Sequence, residues 1–264
     1  MIAFDTLKGH IKNLGNAAVA FSGGVDSTLL AYAAHCALGD RMIAVTIKSA
    51  VFPKCEYDFC QKFLSENNIR HIYVPVDVFN IKGFCENPEN RCYICKTEMM
   101  RAIRLAALDY GFDNIIEGSN IDDEGDYRPG MRAVAEQGIL SPFRELKMTK
   151  SDIRRISESV GLETFNKPSF ACLASRFAYG EEISDEKLKR LEKAENYLFE
   201  MGIGQLRVRI CVDSARIEVE KKDFSHVLEH ADEINDKLRS YGFKYVSLDL
   251  AGYETGSMNR AILM

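Results

Sequence analysis

The loop FSGGVDS, residues 21–27, carries the residue types of a phosphate site. It stands where the apolar run NAAVAF ends and a segment of helical periodicity begins. Two adjacent glycines let backbone N–H groups converge on an anion, and the start of the following helix adds positive potential. The Walker pattern is absent and the loop has no lysine, so an ordinary strand–helix turn is the alternative. The serine and aspartate spacing favours phosphate binding, and the residues assigned to it are Ser22, Gly23, Gly24, Asp26 and Ser27.

A second candidate site is the stretch NRCYICK, which places Cys92 and Cys95 three positions apart. The spacing suits zinc, a redox pair or part of an iron–sulfur site. Zinc would need further ligands, which Cys60 or Cys85 could supply. A redox pair usually opens a helix in a thioredoxin-like βαβ unit, a context that the sequence does not predict here. Cysteines that only pack are the remaining alternative, and the residues alone leave this choice open.

Three further polar segments could bind ligands. The loop GSNIDDEGDYRPG contains Gly118, Asp122, Asp126 and Arg128, and it suits a solvated loop and a metal-binding loop equally well. The segment CLASR sets Cys172 four residues before an arginine, Arg176, which is expected to favour the thiolate. In LRVRI, Arg207 and Arg209 share one strand face and could grip a phosphate, although spacing alone favours an exposed basic face.

Composition excludes several classes of protein. The chain has 264 residues and a formal net charge of −5, which disfavours non-specific nucleic-acid binding. No window resembles an export signal or a membrane span, so we expect a cytoplasmic protein with eight reduced cysteines. Cys36 and Cys211 are predicted to pack, whereas Cys55, Cys60 and Cys85 receive no role.

The elements that must position these residues alternate between strand and helix. Strands are predicted over 16–21, 42–48, 69–78 and 114–120, with a helix over 96–111 and another capped by Thr149 or Ser151. This order predicts an α/β fold with a parallel sheet and helices on both faces. The order changes to αββαβ near residue 167, with an antiparallel strand pair predicted over 205–212 and 215–220 and a single helix over 223–242. We therefore predict two domains, 1–166 and 167–264, the second a small α+β domain for substrate binding and oligomerisation.

The sequence SGGVDS resembles the PP-loop of the ATP pyrophosphatase superfamily, whose fold is of the adenine nucleotide alpha hydrolase type. The co-occurrence of SGGVDS, NPENRCYICK, EGSNIDDEGDYRPG, CLASR, RVR, ARIEVE and GSMN resembles the LarE family, and the resemblance covers nearly the whole chain. It implies an ATP-dependent sulfur transferase. The enzyme would adenylate a carboxylate of pyridinium biscarboxylic acid mononucleotide, and sulfur would replace AMP to give the thiocarboxylate precursor of the nickel-pincer cofactor.

The resemblance also implies roles for residues. Asp26 would contact Mg²⁺ on ATP, Thr46 and Lys48 would lie near adenine, and the loop from Gly118 would approach the nucleotide. Arg207 and Arg209 would bind the substrate phosphate. Cys172 stands at the sulfur-donor position, accompanied by Arg176 and Glu195. Glu254 replaces an arginine of the family pattern, which leaves that position without an assigned role.

Two sulfur sources are compatible with the resemblance. In one subgroup three cysteines hold a 4Fe–4S cluster, and the matching ligands are Cys92, Cys95 and Cys172. A fourth iron would then accept an external sulfide. In the other version Cys172 gives up its own sulfur. A PP-loop tRNA thiolase and a regulatory nucleotide-binding module are the other classes considered. We expect a homo-oligomer that acts on a small molecule and binds neither nucleic acid nor membrane.

Overall fold

The computed structural model of the chain describes residues 3–125, 129–168 and 171–254. These residues form two compact units, which are described separately. The first unit comprises residues 1–81 and 92–170, and the second comprises 82–91 and 171–264. The domain limits predicted from sequence remain a prediction.

The first unit has seven helices and four strands among its described residues. The helices are α1 Phe4–Lys12, α2 Val25–Leu38, α3 Lys54–Glu66, α4 Arg91–Asp109, α5 Pro129–Glu136, α6 Pro142–Glu145 and α7 Lys150–Ser159. The strands are β1 Ala17–Ala20, β2 Met42–Lys48, β3 His71–Pro75 and β4 Ile115–Ile116.

The four strands form one parallel sheet in the order β3-β2-β1-β4. Ala17 pairs with Met42 at the start of the β1–β2 register, and Ala18 pairs with Ile115 on the other side of β1. The chain therefore adds β2 and β3 on one side of β1 and then places β4 on the opposite side of β1. In open α/β sheets such a switch point is where ligands bind, beyond the carboxyl ends of the strands.

Helix α2 lies in the main core of this unit. Its sequence, VDSTLLAYAAHCAL, is apolar around most of its circumference, as expected of a helix that is covered on several sides. It contacts α1, α7, β1 and β2. Leu29 and Leu30 have no exposed surface. This burial fixes the amino-terminal end of α2 at the edge of the sheet where β1 ends.

The second unit has a three-stranded sheet. Its elements are α8 Asp185–Glu200, β5 Leu206–Cys211, β6 Ser214–Val219, α9 Phe224–Glu229, α10 Ala231–Ser240 and β7 Tyr245–Leu248. The predicted antiparallel pair is confirmed by β5 and β6, and β7 adds to β6 in parallel. The α/β class with a small α+β second part is confirmed.

The segment Lys82–Arg91 belongs to the second unit because its polar side chains donate hydrogen bonds to backbone carbonyls of that unit. Asn87 Nδ2 donates to the Ala178 carbonyl at 2.6 Å. Arg91 Nη1 donates to the Ala174 carbonyl at 2.9 Å and also to Asn87 Oδ1. Arg91 is almost fully buried. These bonds place a segment that precedes α4 in the second unit, which the sequence did not predict.

Three predicted elements differ from the structure. Strand β4 has two residues instead of seven, because the chain beyond it bends towards the glycine loop. Helix α4 begins at Arg91 instead of Lys96, so Cys92 and Cys95 lie in its first two turns. The single helix predicted over 223–242 is two helices, because His230 takes φ −110° and ψ 23° between them.

The predicted helix cap is resolved in favour of Thr149. Its hydroxyl accepts from the Asp152 backbone N–H at 3.1 Å, and Asp152 Oδ2 accepts in return from the Thr149 backbone N–H at 3.2 Å. This reciprocal capping box holds the start of α7.

Among the described residues, no helix combines the length and the apolar character that a membrane span requires.

Candidate functional site

The glycine loop connects β1 to α2 in the first unit. Gly23 has φ +76°, a left-handed conformation that favours glycine. A Cβ atom at this position would lie 2.8 Å from Cys60 Sγ and 3.0 Å from a ring carbon of Phe59. Gly24 caps α2 in an extended conformation, with φ −73° and ψ 163°. Gly23 and Gly24, both assigned to the phosphate site from the sequence, therefore have different structural roles. Of the two, Gly23 is the one that requires glycine for steric reasons.

Two serines close the loop on itself. Ser27 Oγ donates to the Gly24 carbonyl at 3.1 Å and accepts from the Ser22 backbone N–H at 3.3 Å. The Ser22 and Ser27 hydroxyl oxygens lie 3.2 Å apart. Ser27 is buried and Ser22 is exposed. The loop is thus held in shape by its own side chains.

The loop after β4 meets the glycine loop closely. A Cβ atom on Gly118 would lie 3.1 Å from Asp26 Cβ and 3.1 Å from the Ser27 backbone nitrogen. The neighbouring Glu117 is buried, and its carboxylate accepts from Ser119 Oγ at 2.7 Å and from Ser141 Oγ at 2.5 Å. Lys96 Nζ is 4.0 Å from the same carboxylate. The switch point of the sheet therefore gathers the loops that follow β1 and β4.

Asp26 is bound by a lysine that sequence reasoning missed. Its carboxylate forms a short ion pair with Lys150, the first residue of α7. Burial raises the pKa of the Asp26 carboxyl above its ordinary value, and the Lys150 ammonium opposes that shift. Asn120 Nδ2 adds a long contact of 3.5 Å to Asp26. The carboxylate is thus desolvated and held in one place, as a Mg²⁺ ligand would need to be.

Lys167 is a second lysine at the loop that the sequence did not indicate. Its Nζ donates to the Gly23 carbonyl at 3.0 Å and to Glu56 Oε2 at 2.8 Å. The ammonium also lies 4.0 Å from the centre of the Phe59 ring. Although the motif has no lysine of its own, the fold brings two lysines to it. No local spacing signal could have linked Lys150 or Lys167 to the loop.

The residues predicted near adenine lie at the end of β2. Thr46 is buried and Lys48, the last residue of the strand, is exposed. The hydroxyl oxygens of Thr46, Ser49 and Thr28 are buried and have no hydrogen-bond partner among the described residues. Unpaired buried hydroxyls are uncommon in folded proteins, and a bound polar ligand is one way to pair them. Their assignment to adenine stays a prediction.

The aspartate-rich loop after β4 is only partly described. Asp122 is exposed, and its Oδ2 accepts from the Lys150 backbone N–H at 2.7 Å. Asp122 therefore supports the start of α7, which also carries the Lys150 side chain. Asp126 and Arg128, also predicted to bind the nucleotide, lie outside the described residues.

In the second unit Arg176 and Glu195 form a buried ion pair. Arg176 Nε and Nη2 donate to the two Glu195 oxygens at 3.0 and 2.8 Å. Arg176 Nη1 donates to the carbonyls of Ala171 and Cys172 at 2.6 and 3.1 Å. These bonds reach the backbone of Cys172, so Arg176 holds the shape of the segment that carries the thiol.

Arg207 and Arg209 are both buried, which contradicts the exposed basic face favoured by spacing alone. Arg209 Nε donates to Glu218 Oε2 at 3.0 Å, and its Nη1 donates to the Ser175 carbonyl at 2.6 Å. Burial lowers the pKa of Arg207, and the nearby Arg176 guanidinium lowers it further. Four arginines but two carboxylates are buried among the described residues of this unit: Arg91, Arg176, Arg207, Arg209, Glu195 and Glu218.

The eight cysteines all lie in described residues, and none forms a disulfide. Cys92, Cys95 and Cys172 are each half-buried. Burial raises the pKa of Cys60 to about 12, so its thiol is protonated at neutral pH. Cys36, expected to pack, is exposed. Cys92 and Cys95 lie at the start of a helix, because α4 begins at Arg91 and not at the predicted Lys96.

These features define the class of the protein. A parallel sheet with its switch point at β1, a glycine loop closed by two serines and an aspartate at the start of α2 characterise the PP-loop ATP pyrophosphatase fold. The comparisons with known proteins agree with this class. A glutamine-hydrolyzing GMP synthase of Synechococcus is 26% identical over 67% of this chain and 38% of its own length. No protein-family model matches the chain.

Two relatives similar over nearly the whole chain carry the identification. An uncharacterized protein of Synechocystis is 39% identical over 98% of this chain and 97% of its own length. The pyridinium-3,5-bisthiocarboxylic acid mononucleotide synthase of Lactiplantibacillus plantarum is 33% identical over 96% of this chain and 92% of its own length. The chain belongs to the LarE family, the enzyme family of the pyridinium-3,5-bisthiocarboxylic acid mononucleotide synthase.

Proposed function

We propose that the protein is an ATP-dependent sulfur transferase acting on pyridinium biscarboxylic acid mononucleotide. The observation that carries the proposal is the glycine loop, closed by Ser22 and Ser27 and faced by the desolvated carboxylate of Asp26, in a member of this family. A carboxylate oxygen of the substrate attacks the α-phosphorus of ATP, and pyrophosphate leaves. A sulfur nucleophile then attacks the carbonyl carbon, and AMP leaves with the former carboxylate oxygen, so each sulfur consumes one ATP.

The residues of the first unit would act on the nucleotide. Backbone N–H groups around Gly23 and Gly24, together with the start of α2, would stabilise the departing pyrophosphate. Asp26 would hold the Mg²⁺ of the nucleotide, which would stabilise negative charge on the departing pyrophosphate. The Lys150 ammonium favours the ionised form of Asp26, because it opposes the rise in pKa that burial causes. Thr46 and Lys48, at the end of β2, would lie near the adenine, as the resemblance implies.

The arginines of the second unit would bind the substrate's phosphate. Burial beside Arg176 disfavours the charged form of Arg207, and a bound phosphate dianion would offset this cost. Arg209 is already oriented by Glu218 and the Ser175 carbonyl. A guanidinium fixed in this way loses little freedom when it forms a bidentate bond to phosphate.

For the sulfur source we propose a 4Fe–4S cluster whose ligands are Cys92, Cys95 and Cys172, as the resemblance implies. Cys92 and Cys95 are one helical turn apart in α4 and therefore share a face. Held by three thiolates, such a cluster leaves one iron open for an exogenous sulfide.

A pyrophosphate assay tests the activity. Purified protein with ATP, Mg²⁺ and the pyridinium mononucleotide should release pyrophosphate, and Asp26→Asn should reduce the rate by about 100-fold or more. Asp58→Asn, an exposed change on α3, is the matched control and should retain the rate. Nucleotide binding without pyrophosphate release would show a regulatory module, and release that requires tRNA would show a tRNA thiolase.

Iron analysis and intact mass separate the two sulfur sources. Anaerobically purified protein should hold about four irons per chain and lose them on Cys92→Ala. Cys211→Ala, which changes a thiol of β5, should keep the iron. If the protein instead becomes lighter by one sulfur at Cys172 after turnover, the sacrificial mechanism is correct. Iron-free protein that turns over repeatedly with sulfide would also exclude the cluster.

A further inference from the structure

The sequence HVLEH, residues 226–230, places two histidines and a glutamate on one side of a helix end. His226 and His230 are four positions apart and Glu229 is three positions after His226, so helical spacing brings both residues next to His226. One ligand atom from each residue lies within 4.8 Å of the other two. His226 and Glu229 belong to α9, and His230 joins α9 to α10.

One nitrogen of each imidazole lies at hydrogen-bond distance from a backbone carbonyl oxygen. His226 Nε2 is 3.1 Å from the Met201 carbonyl oxygen, and His230 Nδ1 is 2.9 Å from the His226 carbonyl oxygen. A carbonyl only accepts, so the neutral ring donates from that nitrogen and keeps a lone pair on the opposite one. His226 Nδ1 and His230 Nε2 are therefore the nitrogens with available lone pairs. Metal-binding histidines are commonly oriented in this way.

We propose that His226, Glu229 and His230 bind one zinc ion. Two imidazoles and one carboxylate are a donor set that Zn²⁺ accepts with three protein ligands and one further position. Hard ions such as Mg²⁺ prefer oxygen ligands and are disfavoured by two nitrogens. The two histidines are half-buried and Glu229 is exposed, so an ion can enter from solvent and keep a water molecule.

The position of the site assigns it a structural role. Met201, whose carbonyl orients His226, is the residue at which α8 ends. His230 ends α9 and precedes α10, with a non-helical backbone. A zinc ion on the three ligands would therefore fix the α9–α10 junction against the end of α8. None of the three residues is assigned to adenylation or sulfur transfer, so this inference does not depend on the proposed function.

Zinc titration of the full chain tests the site. Thiols are the main competitors for zinc, so the parent protein carries Cys92→Ala, Cys95→Ala and Cys172→Ala. It should bind one zinc ion more than the same protein with Glu229→Gln. The affinity of this site should fall by about 100-fold or more when the ligand is lost, since changes to outer-shell groups alone cost 10–100-fold. Glu229 is exposed, so its substitution should not affect folding.

Two control variants test whether the loss of zinc binding is specific to Glu229. Glu186→Gln removes an exposed carboxylate at the start of α8, and His35→Gln removes an imidazole from the first unit; both should retain the site. Cobalt bound in place of zinc should show no thiolate charge-transfer band. Zinc should raise the melting temperature of the parent but not of the Glu229→Gln variant. Equal zinc binding by parent and Glu229→Gln, or a cobalt spectrum with thiolate bands at that site, would overturn the proposal.

Discussion

At the scale of single residues, the ionisation of the charged groups at the glycine loop depends on their surroundings more than on the residue type. Asp26 would be an ordinary carboxylate in the unfolded chain, yet burial raises its pKa in the fold. The folded state therefore holds the proton more tightly than the unfolded chain does. Stability from the protonated form is fully present below the ordinary value of 3.8 and is lost as pH rises through the folded-state pKa.

The direction of this pKa shift leads to a prediction about the stability of Asp26 and Lys150 variants. At pH 7 and without ligand, Asp26→Asn should unfold at a higher urea concentration than the wild type, because it removes a desolvated charge. Lys150→Met should do the opposite, because it removes the ammonium that offsets burial. The gain from Asp26→Asn should shrink as pH approaches 3.8. A lower urea midpoint for Asp26→Asn at pH 7 would contradict this account.

A second prediction concerns thiol reactivity. Burial raises the pKa of Cys60 from 9.0 to about 12, which lowers its thiolate fraction by about 10³-fold near neutral pH. Iodoacetamide should therefore modify the exposed Cys36 at least 100-fold faster than Cys60. Peptide mapping by mass spectrometry after a timed reaction measures both rates in one sample. Similar rates at the two positions would show that Cys60 is accessible and ionised.

At the scale of elements, the strand–loop–helix unit around β1 depends on one left-handed residue. Gly23 has φ +76°, and the space behind it is filled by α3 through Cys60 and Phe59. Gly24, its neighbour, has an ordinary φ, and among the described residues a Cβ there would have only Ser22 Oγ within 4 Å, at 3.7 Å. The two adjacent glycines therefore differ in whether a side chain would fit at their position.

The pair Gly23→Ala and Gly24→Ala tests this difference. We expect Gly23→Ala to lower the free energy of unfolding by about 1–3 kcal/mol, from backbone strain and the clash with Cys60. Gly24→Ala should stay within about 0.5 kcal/mol of the wild type. Urea denaturation of the ligand-free proteins gives both values. Equal losses at the two positions would mean that the close contact behind Gly23 is not decisive.

Element types were predicted better than element limits. Strand β2 has the predicted bounds, and β1 and β3 are shorter than their apolar runs. Strand β4 is shortened because Gly118 must approach Asp26 and Ser27 within van der Waals distance. Periodicity reports which residues are apolar, but it does not report where a backbone leaves the sheet to meet another loop.

At the scale of the whole molecule, the chain divides into two units with different stabilising interactions. The first has a large apolar core around α2, whereas the second buries several charged side chains. The Arg176–Glu195 pair is almost completely buried, with 0% and 3% of the side chains exposed. Glu195 also accepts from the Val208 backbone N–H at 2.9 Å. Removing one partner leaves the other charge buried.

We therefore predict a localised effect of Glu195→Gln. The substitution should cost about 3–5 kcal/mol, and hydrogen exchange should increase in peptides of α8, β5 and β6. Peptides from β1 and β2 should keep their protection. Glu186→Gln, an exposed change in the same helix, is the control and should leave exchange unchanged. Faster exchange throughout the first unit would show that the pair stabilises more than the second unit.

Local patterns along the chain were enough to predict the α/β order, the glycine loop, the antiparallel pair and the family. These follow from local periodicity and short motifs, in which the informative residues are neighbours along the chain. Only the tertiary structure showed that Lys150 and Lys167 reach the loop, across 124 and 144 positions. It also decided that Arg207 and Arg209 are buried and that α9 ends at the His226–His230 group. Such contacts depend on how distant elements pack, and no local pattern encodes that packing.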